Sequence, residues 1–429
     1  MKDLSLNGAT EGQITLYDRD YNAAINNIEV GERIFKINDK ENYKRFTIKA
    51  EEHIDKALTN ANLVIISIEP GDTSCRKGDI EIPEEYGILE TVGDTTGPGG
   101  IMRARRALPL FFEFGLKIKE CCPNAWVINY TNPMTLCTAA LFKVFPKIKL
   151  LGCCHEVFGT QHFIANLVSK WFDVPTPDRR EIHLDITGIN HFTFATKIEW
   201  KGIDLYPKLI ELANNKDTYK DLTLLAKQRI KEEEWFDCNH LIALQMLRQF
   251  GALGAAGDRH LAEFTPYFLT SEKDIWKYGI MRTPYSWRER ISIEKKNKTF
   301  KDEELIAKPS DEEGVDIMMS LMGKRTLFTN MNRLNVGQVP FLPLGTVVES
   351  NGFISENSIK PVVSSNPPLA IQTLIKRIVD VQQMTLEAIW NKDNEALFTA
   401  FTLDPLVHLP IHKAREMFDK MMVACALKY

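Results

Sequence analysis

The chain has 429 residues, 44% of them hydrophobic and 26% charged, with a formal net charge of -4. That composition excludes a disordered or fibrous chain, and the length accommodates two domains or one large one with an elaborate second layer. The small net charge and the lack of a basic, aromatic-interleaved strip argue against a nucleic-acid partner, and no apolar run is long enough to span a bilayer.

The N-terminal MKDLSLNGAT has no signal-peptide apolar core, so a cytoplasmic location is expected. The eight cysteines (Cys75, Cys121, Cys122, Cys137, Cys153, Cys154, Cys238 and Cys425) lack framework spacing and fit reduced thiols. QITLYDRD (13–20) is a short β-type run ending in acid, and EEHIDKAL (51–58) is helical. ANLVIISIEP (61–70), WVINYTNPMT (126–135) and KIKLLGCCHE (147–156) each read as an apolar strand followed by a polar turn. Helical segments such as IMRARRALPLFFEFGLKIKE separate them, so the pattern predicts a parallel βαβ sheet. Ligands in such sheets sit beyond the carboxyl ends of the strands. Those ends carry Asp18, Glu69, Asn129, Asn132 and the stretch from Cys153 to Glu156.

Beyond about residue 175 the character changes. DITGINHFTFATKIEWKGIDLYP alternates like half-buried strands, with Asn190 and His191 read as strand residues. Charged helical material follows to about residue 247, then the glycine-rich FGALGAAGDRHLAEFTPYF. Residues 291–316 are strongly charged and expected to face solvent or move. GTVVESNGFI reads as a hairpin turning at Asn351 and Gly352, and two long helices are expected to meet near residues 391–393. No repeat or low-complexity tract occurs.

The chemistry-bearing residues fall in a few clusters. Cys153 and Cys154 lack CxxC spacing, which weakens a redox or structural-zinc role, and at most one of them faces the crevice. A buried, inert pair is equally consistent with the residues. Cys154 with His191 would make a two-ligand metal site open to substrate oxygens, although a lone histidine is more often a satisfied core residue. DTTGPGG (94–100) offers Asp94 and backbone N–H groups before a helix, without the lysine of a Walker loop. AGDRHLAEF brings Asp258, Arg259, His260 and Glu263 together. Asp258 and His260 suit a base and Arg259 a carboxylate partner, but a surface ion-pair cluster has the same spacing. Asn332, Arg333, Asn335, Asp404 and His408 suit either a sugar or turn capping.

Taken in order, ITLYD, DTTGPGG, INYTNPM, LGCCHEVFG, TGINHF, GDRHLAEF and DPLVHLP resemble glycoside hydrolase family 4, the NAD- and divalent-metal-dependent glycosidases. The resemblance implies an α/β fold: a Rossmann-like dinucleotide domain over residues 1–160 and an α/β catalytic and oligomerisation domain over 161–429, similar to lactate and malate dehydrogenases. It implies Cys154 and His191 as metal ligands, Mn(2+) as metal, and NAD bound near Asp18, Glu69, Asn129 and Asn132. Asp258 is then expected to be the base for the C2 proton and His155 the acid for the leaving oxygen. Asp94, Glu156, Asn190, Arg259, His260 and Arg333 are expected around the sugar, with Arg259 or Arg333 on its carboxylate. The form Cys154-His155-Glu156-Val157 is similar to the subgroup acting on α-galacturonides, with α-glucuronides or α-galactosides second.

The family chemistry takes hydride from C3 to NAD, removes the C2 proton beside the metal, eliminates the leaving group, adds water and returns the hydride. Small uronic-acid glycosides are the implied substrates and a homodimer or homotetramer the implied assembly. One departure stands out. The family begins with a strand and a glycine-rich turn, and this chain has no room for them before Asp18, so the dinucleotide domain is expected to be truncated and NAD binding impaired. A malate-type dehydrogenase and a non-catalytic sugar-binding remnant are the competing readings.

Overall fold

The computed structural model describes residues 1–7 and 11–424. Its strands are β1 (Gly12–Leu16), β2 (Phe46–Ala50), β3 (Leu63–Ile66), β4 (Trp126–Asn129), β5 (Lys149–Gly152), β6 (Ile182–Ile189), β7 (Phe192–Trp200), β8 (Ile203–Asp204), β9 (Leu253–Gly254), β10 (Leu327–Leu334), β11 (Val347–Ser355) and β12 (Ser358–Pro361). β1 and β2 pair in parallel as a separate two-stranded sheet. The large sheet runs β3-β4-β5-β10-β11-β6-β7-β8, with β12 on β11 and β9 on β7.

β3, β4 and β5 are parallel, linked by the helices Gly97–Cys121 and Met134–Val144, as the apolar runs predict. β4 is buried along its whole length because helices cover both faces. β3 behaves differently: it forms the edge of the large sheet, and Ile65 is 57% exposed. β1 is likewise only partly buried, and it pairs with β2 alone.

The sheet does not stop where the two halves meet. β10 returns antiparallel onto β5, with Asn332 opposite Gly152, and carries the sheet into β11 and β6. One core packs the helix Glu156–Phe172 and the helix Leu241–Phe250 against β6 and β7. A second packs β3 to β5 against Gly97–Cys121, and it includes Phe401, Met417 and Phe418 from the C-terminal helices. The boundary expected at residue 160 therefore divides the chain but not the cores: the C-terminal helices complete the first half.

Two helices, Leu369–Trp390 and Asn394–Leu403, meet at residues 391–393 as expected. The hairpin expected at Asn351 and Gly352 does not form there. β11 runs straight through both residues, pairing Asn351 with Asn330 and Gly352 with Thr329, and the chain turns at 356–357, where Asn357 has φ +47°. Gly352 is needed for close approach instead: a Cβ there would lie 2.6 Å from Met331 Cε. The charged segment is also less free than its composition suggests. Leu305 is buried, and Asn38 bonds the Leu305 carbonyl (3.0 Å) and the Ala307 N–H (2.7 Å). The seven described cysteines are all free thiols; Cys425 lies outside the described residues. Among the described residues no helix is long and apolar enough to cross a membrane.

Candidate active site

The site is built on a loop held from both sides. Glu263 Oε1 accepts the backbone N–H groups of Thr91 (2.7 Å), Val92 (2.6 Å) and Gly93 (2.9 Å). From the other side Arg76 donates to the carbonyls of Val92 (2.7 Å) and Gly93 (3.0 Å), and Arg259 to that of Thr91 (2.9 Å). With its backbone groups satisfied, a buried loop can keep one conformation. It leads directly into Asp94 and Thr95. Gly97 then opens the following helix at φ +71°, where a Cβ would lie 2.4 Å from Glu90 Oε1.

Opposite stands His191. Asn190 and His191 form the two-residue link between β6 and β7, closed by the pair Ile189 and Phe192, so they are turn residues and not strand residues as the alternation predicted. A histidine at φ +64° is uncommon, and such backbone strain concentrates at functional sites. His191 Nδ1 lies 2.9 Å from Thr95 Oγ1, which is 2.7 Å from Asp94 Oδ1. The hydroxyl has one proton, and the Asp94 carboxylate can only accept, so Thr95 donates to Asp94 and His191 Nδ1–H donates to Thr95. That tautomer leaves a lone pair on Nε2, as a metal-ligating imidazole requires.

Asp94, His191 and His260 each offer a ligand atom, all within 4.8 Å of one another. Burial, and then the neighbouring His260, lower the His191 pKa to about 3, which keeps the ring neutral. Burial opposes ionisation of Asp94, but His260, Arg76, His191 and Arg103 outweigh it and hold the carboxyl below the usual carboxylate range. Glu156 behaves alike: burial resists, yet His260, His191 and the Gly257 N–H (2.7 Å) bring its pKa down to about 2. A neutral imidazole beside an ionised carboxylate is a donor set suited to a divalent cation.

Cys154 lies outside that triple. Its thiol is buried against Asn190, and burial together with Glu349 and Glu156 pushes its pKa well above the ordinary value, so only an adjacent cation would ionise it. Cys153 faces away, in a small core with Ile128, Leu151 and Met331.

The other expected site residues separate into those the fold gathers and those it does not. Asn132 joins the cluster, its amide 3.3 Å from Asp94 Oδ2. Glu69 pairs with Arg103, which overrides burial and leaves the carboxyl below its ordinary value. His155 is exposed and bonds Glu312 (2.9 Å), which raises its pKa. Asp18 is exposed at the end of β1, where it accepts the N–H of Asp20.

Four of the expected residues make other contacts or lie elsewhere in the fold. Asp258, expected as the base, caps the helix Leu241–Phe250. Its carboxylate accepts the N–H groups of Leu241 (2.7 Å), Ile242 (3.0 Å) and Ala243 (3.1 Å), while burial pushes its pKa up to about 7. Arg259 is committed to the Thr91 carbonyl and to Thr283 Oγ1 (2.7 Å). Arg333 points to the sheet face opposite Asn332, and burial lowers its pKa. Asn129 folds its amide back onto Thr131, accepting that N–H at 2.9 Å, and is fully buried. Asp404 and Asn335 satisfy turns, the former accepting the N–H of Gly97 (3.0 Å) and the latter donating to the Val339 carbonyl (3.0 Å).

Glu349 was missed by reading the sequence. It stands on β11 in the row of Gly152, Asn332 and Gly188, accepts from Asn330 (2.7 Å) and Thr193 (3.2 Å), and raises the Cys154 pKa. Burial raises its own pKa; the amides of Asn190 and Asn332 temper it without forming full hydrogen bonds. The available signal was an acid inside the apolar run GTVVESN. A cavity of about 500 Å³ lined by Tyr219, Gln245, Arg248 and Lys277 contains none of the site residues.

With this geometry in place, comparison with known proteins identifies the class. Residues 1–170 match the model of family 4 glycosyl hydrolases, and residues 186–407 match that of the family 4 glycosyl hydrolase C-terminal domain. The chain belongs to this family, and the protein is a glycosidase of the family 4 type, with a Rossmann-like dinucleotide-binding domain and an α/β catalytic domain. Within the family it stands close to the alpha-galacturonidases: it is 39% identical over 426 residues to the alpha-galacturonidase of Bacillus subtilis (strain 168), covering 98% of this chain and 93% of the relative. The crystal structure of lplD from Bacillus subtilis, provisionally described as a glucosidase, superposes with a TM-score of 0.88 at 38% identity, over 98% of this chain and 95% of the other. A 6-phospho-alpha-glucosidase from gut microorganisms, solved with NAD and Mn2+, shares the fold at a TM-score of 0.72 and 20% identity, over 96% and 91% of the two chains.

Proposed function

We propose that the protein hydrolyses α-galacturonides, using NAD and Mn(2+), on short uronic-acid glycosides. The relation to alpha-galacturonidases supports the sugar. The observation that carries the metal-dependent chemistry is the Asp94–Thr95–His191 chain, which fixes a neutral His191 beside Asp94 and His260. Asp94, His191 and His260 would hold the cation, and Cys154 would join them once ionised. Bound there, a divalent metal supplies Lewis acidity toward a sugar ketone and the neighbouring oxygen.

The chain's own groups supply the rest. Glu156, ionised and fixed by the Gly257 N–H, balances the histidine cluster. His155, its proton favoured by Glu312, sits at the exposed edge of the cluster as a proton donor for the leaving oxygen. Asn132 and Asn190 leave buried amide oxygens without partners, which suit sugar hydroxyls.

The function is tested with p-nitrophenyl α-galacturonide, NAD, Mn(2+) and a reductant, beside the glucuronide, galactoside and glucoside. Cleavage of the galacturonide, abolished by chelation and by His191→Ala, is the expected result; preference for a neutral sugar refutes the substrate. Full activity in Cys154→Ser would exclude the thiol from the metal.

A further inference from the structure

Near Asp94 three arginines lie close enough to feel one another: Arg76, Arg259 and Arg288. Two are spent on the loop. Arg76 donates to the carbonyls of Val92 and Gly93, and Arg259 to Thr91 and Thr283. Arg288, on the helix Tyr285–Lys296, is different. Among the described residues its side chain has no hydrogen bond and no ion pair, and its Nε is buried without a partner. Its neighbours in sequence are satisfied: Arg290 pairs with Glu233 and Arg282 with Glu84.

Asp94 and Glu69, both at the strand-end crevice, attract Arg288 without reaching it. Burial, and then the repulsion of Arg76 and Arg259, lower its pKa to about 10, so the fold holds it at a disadvantage that an anion would relieve. A buried guanidinium left unpaired is costly. Its planar fork matches a carboxylate in bidentate fashion, and two acids already nearby favour a monoanion over a phosphate dianion.

We propose that Arg288 binds the C6 carboxylate of the sugar and selects uronides over neutral sugars. This rests on the galacturonide reading and deepens it, assigning to Arg288 the role that the resemblance implies for Arg259 or Arg333. A site with a polar group waiting for a partner rejects the analogue that lacks the partner. A neutral galactose, with a hydroxyl at C6, leaves the guanidinium unpaired.

The test is isothermal titration of the full chain, loaded with Mn(2+) and excess NAD, with galacturonic acid and with galactose. Wild type prefers galacturonic acid. Arg288→Met loses about 10- to 100-fold in affinity for galacturonic acid, and its affinity for galactose stays unchanged. Arg288→Lys, which keeps the charge without the fork, falls between them and serves if the methionine variant unfolds. A wild-type protein with no preference removes the uronide reading and this assignment with it. A wild-type preference that persists in Arg288→Met and Arg288→Lys overturns the role of Arg288 alone.

Discussion

Replacing Asp258 distinguishes a helix cap from a catalytic base. Its carboxylate serves three backbone N–H groups at the start of the helix Leu241–Phe250, and the residue is 2% exposed, so water cannot take its place. Loss of an N-cap costs about 0.5–2 kcal/mol, and buried donors left without acceptors add about 1–3 kcal/mol. Asp258→Ala is expected to lower the unfolding free energy by about 3 kcal/mol, and Asp258→Asn, which keeps one acceptor oxygen, by about 1 kcal/mol. Urea unfolding followed by circular dichroism measures both. In parallel, kcat is measured with excess NAD and corrected for the folded fraction. A cap leaves the kcat of Asp258→Asn within a few fold of wild type. If that variant instead loses about 10²- to 10⁴-fold in kcat with an unchanged unfolding midpoint, Asp258 is a base and the argument from its hydrogen bonds is wrong.

Other consequences can be measured independently. Thr95→Val removes the hydroxyl that links Asp94 to His191 and is expected to weaken Mn(2+) binding about 10- to 100-fold; unchanged affinity by titration would remove the orienting role. Because the His191 pKa is about 3, the ring stays neutral down to pH 5, so its protonation does not weaken Mn(2+) binding between pH 7 and 5. A loss of affinity centred near pH 6.5 would contradict that. For stability the sign is the same for His191 and Glu156. Each folded pKa lies below its unfolded value, so their contributions are complete above those values and fade as pH falls, from 6.5 toward 3 for His191 and from 4.5 toward 2 for Glu156. Glu156→Gln is expected to flatten the lower part of that decline in urea midpoints; an identical profile refutes its part. Gly352→Ala places a Cβ 2.6 Å from Met331 Cε and 3.0 Å from the Lys360 carbonyl. It is expected to destabilise by about 1–3 kcal/mol, and full stability would mean that the strand is looser than described.

The strand-and-turn segments from 61 to 156 were legible because a strand covered on both faces must be apolar throughout, while the turn after it must be polar. The order of motifs likewise carried the family and drew attention to Asp94, Asn132, Cys154 and His191, although alternation alone put His191 inside a strand. Pattern could not say which way a carboxylate turns. Asp258 and Glu263 sit five residues apart in one acidic, basic stretch, yet one caps a helix and the other clamps the loop carrying Asp94. Asn351 and Gly352 have the composition of a turn, but pairing with β10 makes them strand, because cross-strand partners outweigh local preference.

What the sequence determined by itself was therefore periodic or contiguous: the parallel strands, the helices, the family and the chemical types gathered at the strand ends. Only the tertiary structure decided what depends on long-range partners. It joined β10 to β5 so that Asn330 bonds the Cys154 carbonyl and Glu349 lies near its thiol, and packed the C-terminal helices into the first core. It also gave Arg76 and Arg259 backbone carbonyls to bond while leaving Arg288 without a hydrogen bond or ion pair among the described residues. Hydrogen bonds and charges act over a few ångströms in space, and residues hundreds of positions apart in the chain become neighbours only when the sheet closes.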